Sequence, residues 1–100
     1  MEDITVQELK QKMDAKESFV FIDVREDYEY EEFNLGADLI PLGTLMENLE
    51  KYADNKDDEI VIHCRSGKRS GMAKQMMTEQ GFTKVRNLLG GVLEWNSTFS

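Results

Sequence analysis

The sequence predicts one α/β domain, residues 1–100, in which a mostly parallel sheet is flanked by helices on both faces. Two continuously apolar runs, residues 19–22 (FVFI) and 60–62 (IVI), are rich in β-branched or aromatic side chains and are too short for stable helices. Continuous apolarity is typical of parallel strands that are covered on both sides. Helical patterns lie before, between and after these runs, and this alternation is typical of the α/β class.

Helix caps and apolar stripes place the remaining elements. Thr5 and Glu8 have the spacing of a capping box, which predicts the start of a helix. Gly81 ends a later helix whose Met-rich stripe lies within residues 72–77. Shorter helical segments are expected around residues 30–33, 45–52 and 92–96, and weaker strands at residues 37–40 and 84–88.

Charge and composition narrow the classes of function. The chain has 20 acidic and 12 basic residues and a net charge of −8, which disfavours general nucleic-acid binding because that binding neutralises phosphates. No apolar run approaches the roughly 18 residues of a membrane helix, and the first residues lack the pattern of a signal peptide. A single cysteine gives no internal disulfide. These features predict a cytoplasmic protein without nucleic-acid or membrane partners.

The segment VIHCRSGKRSG, residues 61–71, gathers positive charge and glycine around the only cysteine. It follows a predicted buried strand and precedes a predicted helix, which is where α/β sheets bind their ligands. The amides of a helix N-terminus, the cations Arg65, Lys68 and Arg69, and a backbone turn at Gly67 all favour an anion here. An isolated thiol titrates at about pH 8.5. We expect these groups to lower that value and to ionise Cys64 at least in part at neutral pH.

His63, the only histidine, precedes Cys64 directly. Adjacent residues of a strand point to opposite sides of the sheet, so we expect His63 to be a packed structural residue that faces away from the sulfur. One cysteine and one histidine fall short of a metal site, and no metal or other cofactor is expected. The chemistry therefore has to run on a preformed thiolate, without a general base.

Two reactions fit a thiolate that is held by amides: attack on phosphorus and attack on a sulfane sulfur. The cysteine-dependent phosphatases that this loop resembles have one residue more between cysteine and arginine than the four that separate Cys64 from Arg69. A tighter loop fits one extra sulfur atom better than a phosphoryl group. Sulfur transfer is therefore preferred, and phosphatase chemistry stays an alternative.

Four motifs, in the correct order, resemble those of single-domain rhodaneses, which are thiosulfate or persulfide sulfurtransferases. They are FIDVRE (residues 21–26), GADLIPL (36–42), CRSGKRS (64–70) and NLLGGVLEW (87–95). The resemblance spans nearly the whole chain. It implies a five-stranded parallel sheet flanked by helices. It also implies that Cys64 takes sulfur from a donor such as thiosulfate and passes it, as a persulfide, to cyanide or a thiol.

The resemblance assigns a role to each residue of the loop. Cys64 is the implied catalytic nucleophile, and the backbone amides that follow it hold the outer sulfur. Arg65 and Lys68 attract an anionic donor, whereas Arg69 closes the loop. The implied substrate-binding residues are Arg65, Ser66, Gly67, Lys68 and Arg69, and the supporting residues are Asp23, Arg25 and Ser70.

Two features of the sequence leave the sulfur acceptor and the conformation of one turn undetermined. The chain has no second cysteine, so no internal thiol resolves a persulfide and the acceptor comes from outside. A sulfur-relay or sensing module, loaded by a partner protein and slow on small donors, therefore stays an alternative to the catalytic sulfurtransferase. Glu32-Phe33-Asn34 also stands where the family pattern has Gly-His-Ile, so the motif does not define the turn before the third strand.

Overall fold

The computed structural model describes residues 1–100 and contains one parallel sheet with the strand order β2-β1-β3-β4. The strands are β1 (Val20–Asp23), β2 (Asp38–Leu39), β3 (Ile60–His63) and β4 (Val85–Asn87). The α-helices are α1 (Val6–Asp14), α2 (Asp27–Glu32), α3 (Leu45–Asn48), α4 (Lys68–Glu79) and α5 (Gly91–Phe99), and 3₁₀ segments span Leu42–Thr44 and Leu49–Asn55. The predicted α/β class, with helices flanking a parallel sheet, is confirmed.

The expectation of a fifth strand is wrong, because the sheet has four strands. The N-terminal segment meets the outer edge of β4 through one isolated parallel bridge between Ile4 and Leu88. The Ile4 amide donates to the Asn87 carbonyl at 3.0 Å, and the Leu89 amide donates to the Ile4 carbonyl at 2.9 Å. The next residue, Thr5, already caps α1 with its side chain, so the chain becomes helical before a ladder can extend.

Alternate residues of β3 enter two hydrophobic clusters, one on each face of the sheet. Ile60 and Ile62 belong to a cluster that includes Ala73 of α4. Val61 belongs to the other cluster, which α1 helps to form and against which Trp95 of α5 packs. Side chains along a strand alternate between its faces, so a strand covered by helices on both faces has to be apolar at every position. This explains the continuous run that predicted β3.

The helices follow their predicted signals in most places. The Glu8 amide donates to Thr5 Oγ1 and the Thr5 amide donates to Glu8 Oε1, each at 3.1 Å, as the capping box predicted. The segment expected as one helix over residues 45–52 is instead α3 followed by a 3₁₀ segment. The backbone leaves helical geometry at Tyr52 (φ −113°, ψ 17°), whose hydroxyl donates to Asp38 at 3.1 Å. None of the helices has the length and apolarity to span a bilayer.

Candidate active site at the end of strand β3

The loop that contains Cys64 connects the end of β3 to the start of α4. Gly67 is the residue before α4, and its φ of 98° lies in the left-handed region. A Cβ at this position would lie 3.4 Å from both the Leu88 carbonyl oxygen and the Gly90 amide nitrogen. Glycine is the residue that adopts this backbone without strain. The loop therefore turns back sharply, which directs its amides toward the cysteine.

Three hydrogen-bond donors surround the sulfur of Cys64, a residue that is 1% exposed. The Gly67 amide lies 3.2 Å from Sγ, and the Ser70 amide lies 3.4 Å from it. The Ser70 hydroxyl oxygen lies 3.3 Å from Sγ. Gly67 precedes α4 and Ser70 lies in its first turn, so both amides are among those that have no partner within the helix. The loop therefore directs three donors at one sulfur atom.

These donors shift the protonation of Cys64 toward the thiolate. Burial raises the pKa of the thiol, because it disfavours the charged form. Hydrogen bonds from the Ser70 side chain and from the amides of Ser70, Gly67 and Ser66 lower it by more. The net pKa of Cys64 lies below the ordinary value of a thiol. The thiolate is the nucleophilic form of cysteine, so the loop favours the reactive state.

The cations of the loop occupy different environments. Arg65 and Lys68 are exposed, whereas Arg69 is half-buried and binds Glu29 of α2 through both guanidinium nitrogens, at 2.7 and 2.9 Å. The hydrogen bonds from Arg69 lower the pKa of Glu29 to about 2. Glu29 in turn raises the pKa of Arg69. Arg69 therefore ties the loop to α2, and the free positive charge at the loop belongs to Arg65 and Lys68.

Asp23 and Arg25 form a buried ion pair at the end of β1. The Arg25 Nη2 donates to Asp23 Oδ2 at 2.8 Å, and its Nε donates to both carboxylate oxygens. Arg25 also donates to the carbonyl oxygens of Phe33, at 2.6 Å, and Glu29, at 3.3 Å. All of these bonds are internal, and Arg25 is 4% exposed. The pair braces α2 and the turn after it.

His63 is fully buried, and its ring lies against Phe21 with a centroid separation of 5.3 Å. Phe21 packs on the cluster opposite the one that contains Cys64, so the two neighbouring side chains face different sides of the sheet. The Nε2 atom has no hydrogen-bond partner, although Asp23 Oδ2 lies 3.5 Å away. Burial lowers the pKa of His63. His63 is the packed structural residue that the alternation along the strand predicted.

Two residues that the sequence analysis did not single out also shape the loop. Asn87, at the end of β4, donates from Nδ2 to the Gly67 carbonyl at 3.0 Å and lies 2.5 Å from the Ser70 hydroxyl through Oδ1. A Cβ at Gly91 would lie 2.5 Å from the Cys64 carbonyl oxygen and 2.6 Å from that of Arg65. Both residues belong to the NLLGG motif, which was the available signal.

Comparison with known proteins identifies the family of this fold and loop. A family model described as Rhodanese-like domain matches residues 5–98. The chain belongs to the rhodanese-like family. The single-domain relative named putative sulfurtransferase YtwF, from Bacillus subtilis, is 38% identical over 96 residues, which are 95% of this chain and 90% of the relative. These matches place the chain in a family of sulfurtransferases and sulfur carriers.

Other rhodanese-like relatives differ in length. The putative sulfur carrier protein YrkF from Bacillus subtilis is 45% identical, but the matched region covers only 50% of it. Thiosulfate sulfurtransferase PspE from Escherichia coli is 34% identical over 76% of this chain and 72% of its own length. Among solved structures, a rhodanese-like domain protein from Staphylococcus aureus superimposes with a TM-score of 0.84 at 32% identity, covering 95% of this chain and 91% of that protein.

The rhodanese-like domain has a cleft of about 450 Å³ beside its loop. Tyr28 and Phe33 from the α2 side, Leu93 from α5, and Arg65 from the loop are among its lining residues. The three apolar side chains are 68%, 39% and 49% exposed. The Val92 amide donates to the Cys64 carbonyl at 3.0 Å, which holds α5 against the loop. The cleft therefore opens next to the residue that follows the cysteine.

The segment that departs from the family pattern still forms an ordered turn. Asn34 Nδ2 donates to the Tyr30 carbonyl at 3.1 Å, and Asn34 Oδ1 accepts from the Gly36 amide at 2.9 Å. Gly36 has a φ of 86°. The asparagine side chain thus replaces backbone hydrogen bonds across the turn. Its neighbour Phe33 is the exposed aromatic residue of the cleft.

Proposed function

We propose that this rhodanese-like protein is a sulfurtransferase in which Cys64 accepts a sulfane sulfur and carries it as a persulfide. The observation that supports the proposal is the set of donors within 3.4 Å of Cys64 Sγ, two backbone amides and one hydroxyl. Fixed donors stabilise the negative charge of the attacking thiolate. Once Cys64 is ionised, this chemistry transfers no proton between groups, in agreement with a loop that has no general base beside the sulfur.

The proposed donor is thiosulfate or another sulfane-sulfur compound. The Cys64 thiolate attacks the outer sulfur of thiosulfate, the S–S bond breaks, and its electron pair leaves with sulfite. Cyanide or an acceptor thiolate then attacks the outer sulfur of the persulfide, and the electron pair of the broken bond returns to Cys64. The exposed cations Arg65 and Lys68 attract the dianionic donor through long-range electrostatics. The name of the E. coli relative, thiosulfate sulfurtransferase, supports this donor.

The test is the mass of the intact protein after incubation with thiosulfate. We expect the wild type to gain one sulfur atom and Cys64→Ala to gain none. Production of thiocyanate from cyanide should follow the same pattern. If the wild type gains no mass with thiosulfate or with an organic persulfide, the proposal is wrong. Hydrolysis of an aryl phosphate that disappears in Cys64→Ser would favour the phosphatase alternative.

A second candidate is a sulfur relay that discharges to a partner protein. It is supported by the cleft beside the loop, with its exposed Tyr28, Phe33 and Leu93, and by the sulfur-carrier name of the 45% identical relative. Apolar side chains around a reactive residue provide contact area that cyanide does not need and a protein acceptor does. In a relay, the sulfur-accepting partner lays an apolar surface on the cleft and brings its thiol to Cys64.

Acceptors of different size separate the two candidates. With a purified single-cysteine sulfur-carrier protein as acceptor, Tyr28→Ala and Leu93→Ala should slow the discharge of the loaded enzyme several-fold. Discharge to cyanide should not change. Met46→Ala is a matched control, because Met46 is similarly exposed and lies outside this cleft. Equal rates for all variants with the carrier would contradict the relay.

A further inference from the structure

We propose that Asn87 is a positioning residue that competes with the Cys64 sulfur for the hydroxyl proton of Ser70, and that this competition sets the balance between thiolate and persulfide. The effect on the thiolate follows from the geometry of the loop. The effect on the persulfide also rests on the sulfurtransferase function proposed above. Asn87 itself does not touch the sulfur and acts through Ser70.

The hydrogen bonds of Asn87 fix the orientation of its side-chain amide. Nδ2 lies 3.0 Å from the Gly67 carbonyl oxygen, which can only accept, so this atom is the amide donor. Oδ1 therefore faces Ser70 Oγ, at 2.5 Å. The backbone N–H of Asn87 donates to the Asp3 carboxylate at 3.0 Å, which holds this part of the backbone in place. Asn87 is buried, and no other orientation of its side-chain amide satisfies both Gly67 and Ser70. Its acceptor oxygen is therefore directed at Ser70.

Ser70 has one hydroxyl proton for two acceptors. Its Oγ lies 3.3 Å from Cys64 Sγ and 2.5 Å from Asn87 Oδ1, and the residue is fully buried. A carbonyl oxygen has no proton, so the contact with Asn87 is favourable only when the hydroxyl donates to it. A thiolate also has no proton, so the contact with Cys64 is then favourable only when the hydroxyl donates to the sulfur. The proton cannot satisfy both acceptors at once.

The position of this proton therefore follows the charge on the inner sulfur. In the thiol form, the S–H group donates to Ser70 Oγ, and the hydroxyl donates to Asn87. In the thiolate form, the hydroxyl rotates to the sulfur, and Asn87 Oδ1 loses its donor in a buried place, which is unfavourable. In a persulfide the negative charge lies on the outer sulfur, the inner sulfur is a weak acceptor, and the hydroxyl returns to Asn87. Asn87 thus stabilises every state except the free thiolate.

This competition acts on the transfer step itself. During discharge, cyanide attacks the outer sulfur, the bond between the two sulfurs breaks, and its electron pair passes to Cys64 Sγ as thiocyanate leaves. Ser70 can stabilise that charge only by withdrawing its proton from Asn87. Loading by thiosulfate runs through the opposite rotation, because the charge leaves Sγ. Asn87 therefore favours the loaded enzyme, which suits a residue that holds sulfur until an acceptor arrives.

Asn87 also anchors the Gly67 carbonyl, and the test has to separate the two roles. A double-mutant cycle does so, with the wild type, Asn87→Leu, Ser70→Ala and the combined variant. Leucine has a similar volume and removes the acceptor oxygen. The anchoring role is lost with Asn87→Leu in both backgrounds, whereas the competition exists only where Ser70 is present. The difference between the two backgrounds measures the competition alone.

The first readout is the pKa of Cys64. It is measured from the ultraviolet absorbance of the thiolate as a function of pH, with Cys64→Ala as the blank. We expect Asn87→Leu to lower this pKa by about one unit, a tenfold change in the ratio of thiolate to thiol, when Ser70 is present. In the Ser70→Ala background the same change should not lower it. An equal shift in both backgrounds would overturn the proposal and leave Asn87 a purely structural anchor.

The second readout is the ratio of persulfide to free enzyme at a fixed ratio of thiosulfate to sulfite, taken from intact mass. At a pH above the pKa of Cys64, where the free enzyme is the thiolate, this ratio should fall about tenfold in Asn87→Leu, the factor that corresponds to one pKa unit. It should not fall in the Ser70→Ala background. A fall of the same size in both backgrounds would contradict the competition. If no persulfide forms in any variant, the proposed function fails, while the titration still tests the competition.

A second variant, Asn87→Asp, covers the case in which the leucine variant does not fold. Aspartate is nearly isosteric with asparagine and keeps the acceptor oxygen with more charge. It should therefore raise the pKa of Cys64 more when Ser70 is present than in the Ser70→Ala background. Equal rises in the two backgrounds would contradict the competition.

Discussion

Arg69 of the active loop and Glu29 of α2 lie in a two-pronged ion pair, with nitrogen–oxygen distances of 2.7 and 2.9 Å. The pair joins segments that are 40 residues apart in the chain. It removes Arg69 from the charges that are free to meet an anionic donor, and it gives the loop a fixed attachment to its neighbouring helix. The stability and the charge of the site therefore depend on a carboxylate outside the loop.

Glu29→Gln should reduce the free energy of unfolding near neutral pH by about 1 kcal/mol, the scale for a partly exposed pair. The effect should depend on pH. The folded-state pKa of Glu29 is lowered to about 2. The stabilisation is therefore fully present above the pKa of Glu29 in the unfolded chain, and it is lost as pH falls from there toward about 2. Urea unfolding between about pH 6 and pH 2 should show the wild type losing its advantage over the variant. A difference that is constant over this range would contradict the assignment.

Gly67→Ala should destabilise the protein by about 1–2 kcal/mol, the cost of a left-handed backbone for a residue with a Cβ. It should also raise the pKa of Cys64, because the Gly67 amide would leave its position 3.2 Å from the sulfur. Thermal unfolding and the pH dependence of alkylation by iodoacetamide measure the two effects. Gly43→Ala is the matched control, because a Cβ at Gly43 would have no neighbouring atom within 4 Å and the backbone there has no positive φ. Equal effects at both glycines would contradict the role of this turn.

Substitutions of Arg25 and Arg65 should have different effects, the first on stability and the second on the attraction of the substrate. Arg25→Met leaves the buried Asp23 carboxylate without its partner, so we expect a loss of about 3–5 kcal/mol. Arg65→Met removes an exposed charge and should leave the free energy of unfolding nearly unchanged while raising the KM for thiosulfate. Denaturant unfolding and steady-state kinetics distinguish the two. A large loss of stability in Arg65→Met, or none in Arg25→Met, would reverse these roles.

His63→Leu should retain sulfur transfer, because the imidazole faces away from Cys64 and makes no contact with its sulfur. It should change the response to acid. Burial lowers the folded-state pKa of His63, so the unfolded chain binds the additional proton first, and the wild type loses stability as pH falls below about 6.5. Unfolding measured between about pH 7.5 and pH 5 should show a smaller loss in the variant. Loss of thiocyanate production in a folded His63→Leu protein would give the histidine a catalytic role instead.

Local signals predicted the elements that are governed by local physics. The run IVI predicted β3 because each of its residues is apolar and the strand is covered on both faces. Thr5 and Glu8 predicted the start of α1 because a capping box involves only neighbouring residues. The fifth strand was implied by the family rather than by a pattern in the chain. It failed because Thr5 starts a helix directly after Ile4 makes the single bridge.

Contacts between segments that are distant in the chain could not be predicted from such local signals. Glu29 sits in a run of acidic residues, and nothing in that run distinguishes the carboxylate that meets Arg69 from its neighbours. Asn87 lies at a strand end 20 residues after Gly67, and only the pairing of β4 with β3 brings it under the loop. Phe33 marks a departure from the family motif, but its exposure beside the cleft follows from where α2 ends.

The sequence by itself determined the α/β class and the place of Cys64 in a loop after a buried strand, because these depend on apolar patterning and on neighbouring residues. Only the tertiary structure decided which side chains surround its sulfur. The order of the strands places Asn87 beside Ser70, and the packing of α2 places Glu29 against Arg69. Hydrogen bonds act over about 3 Å, so their partners are set by the folded arrangement and not by distance along the chain.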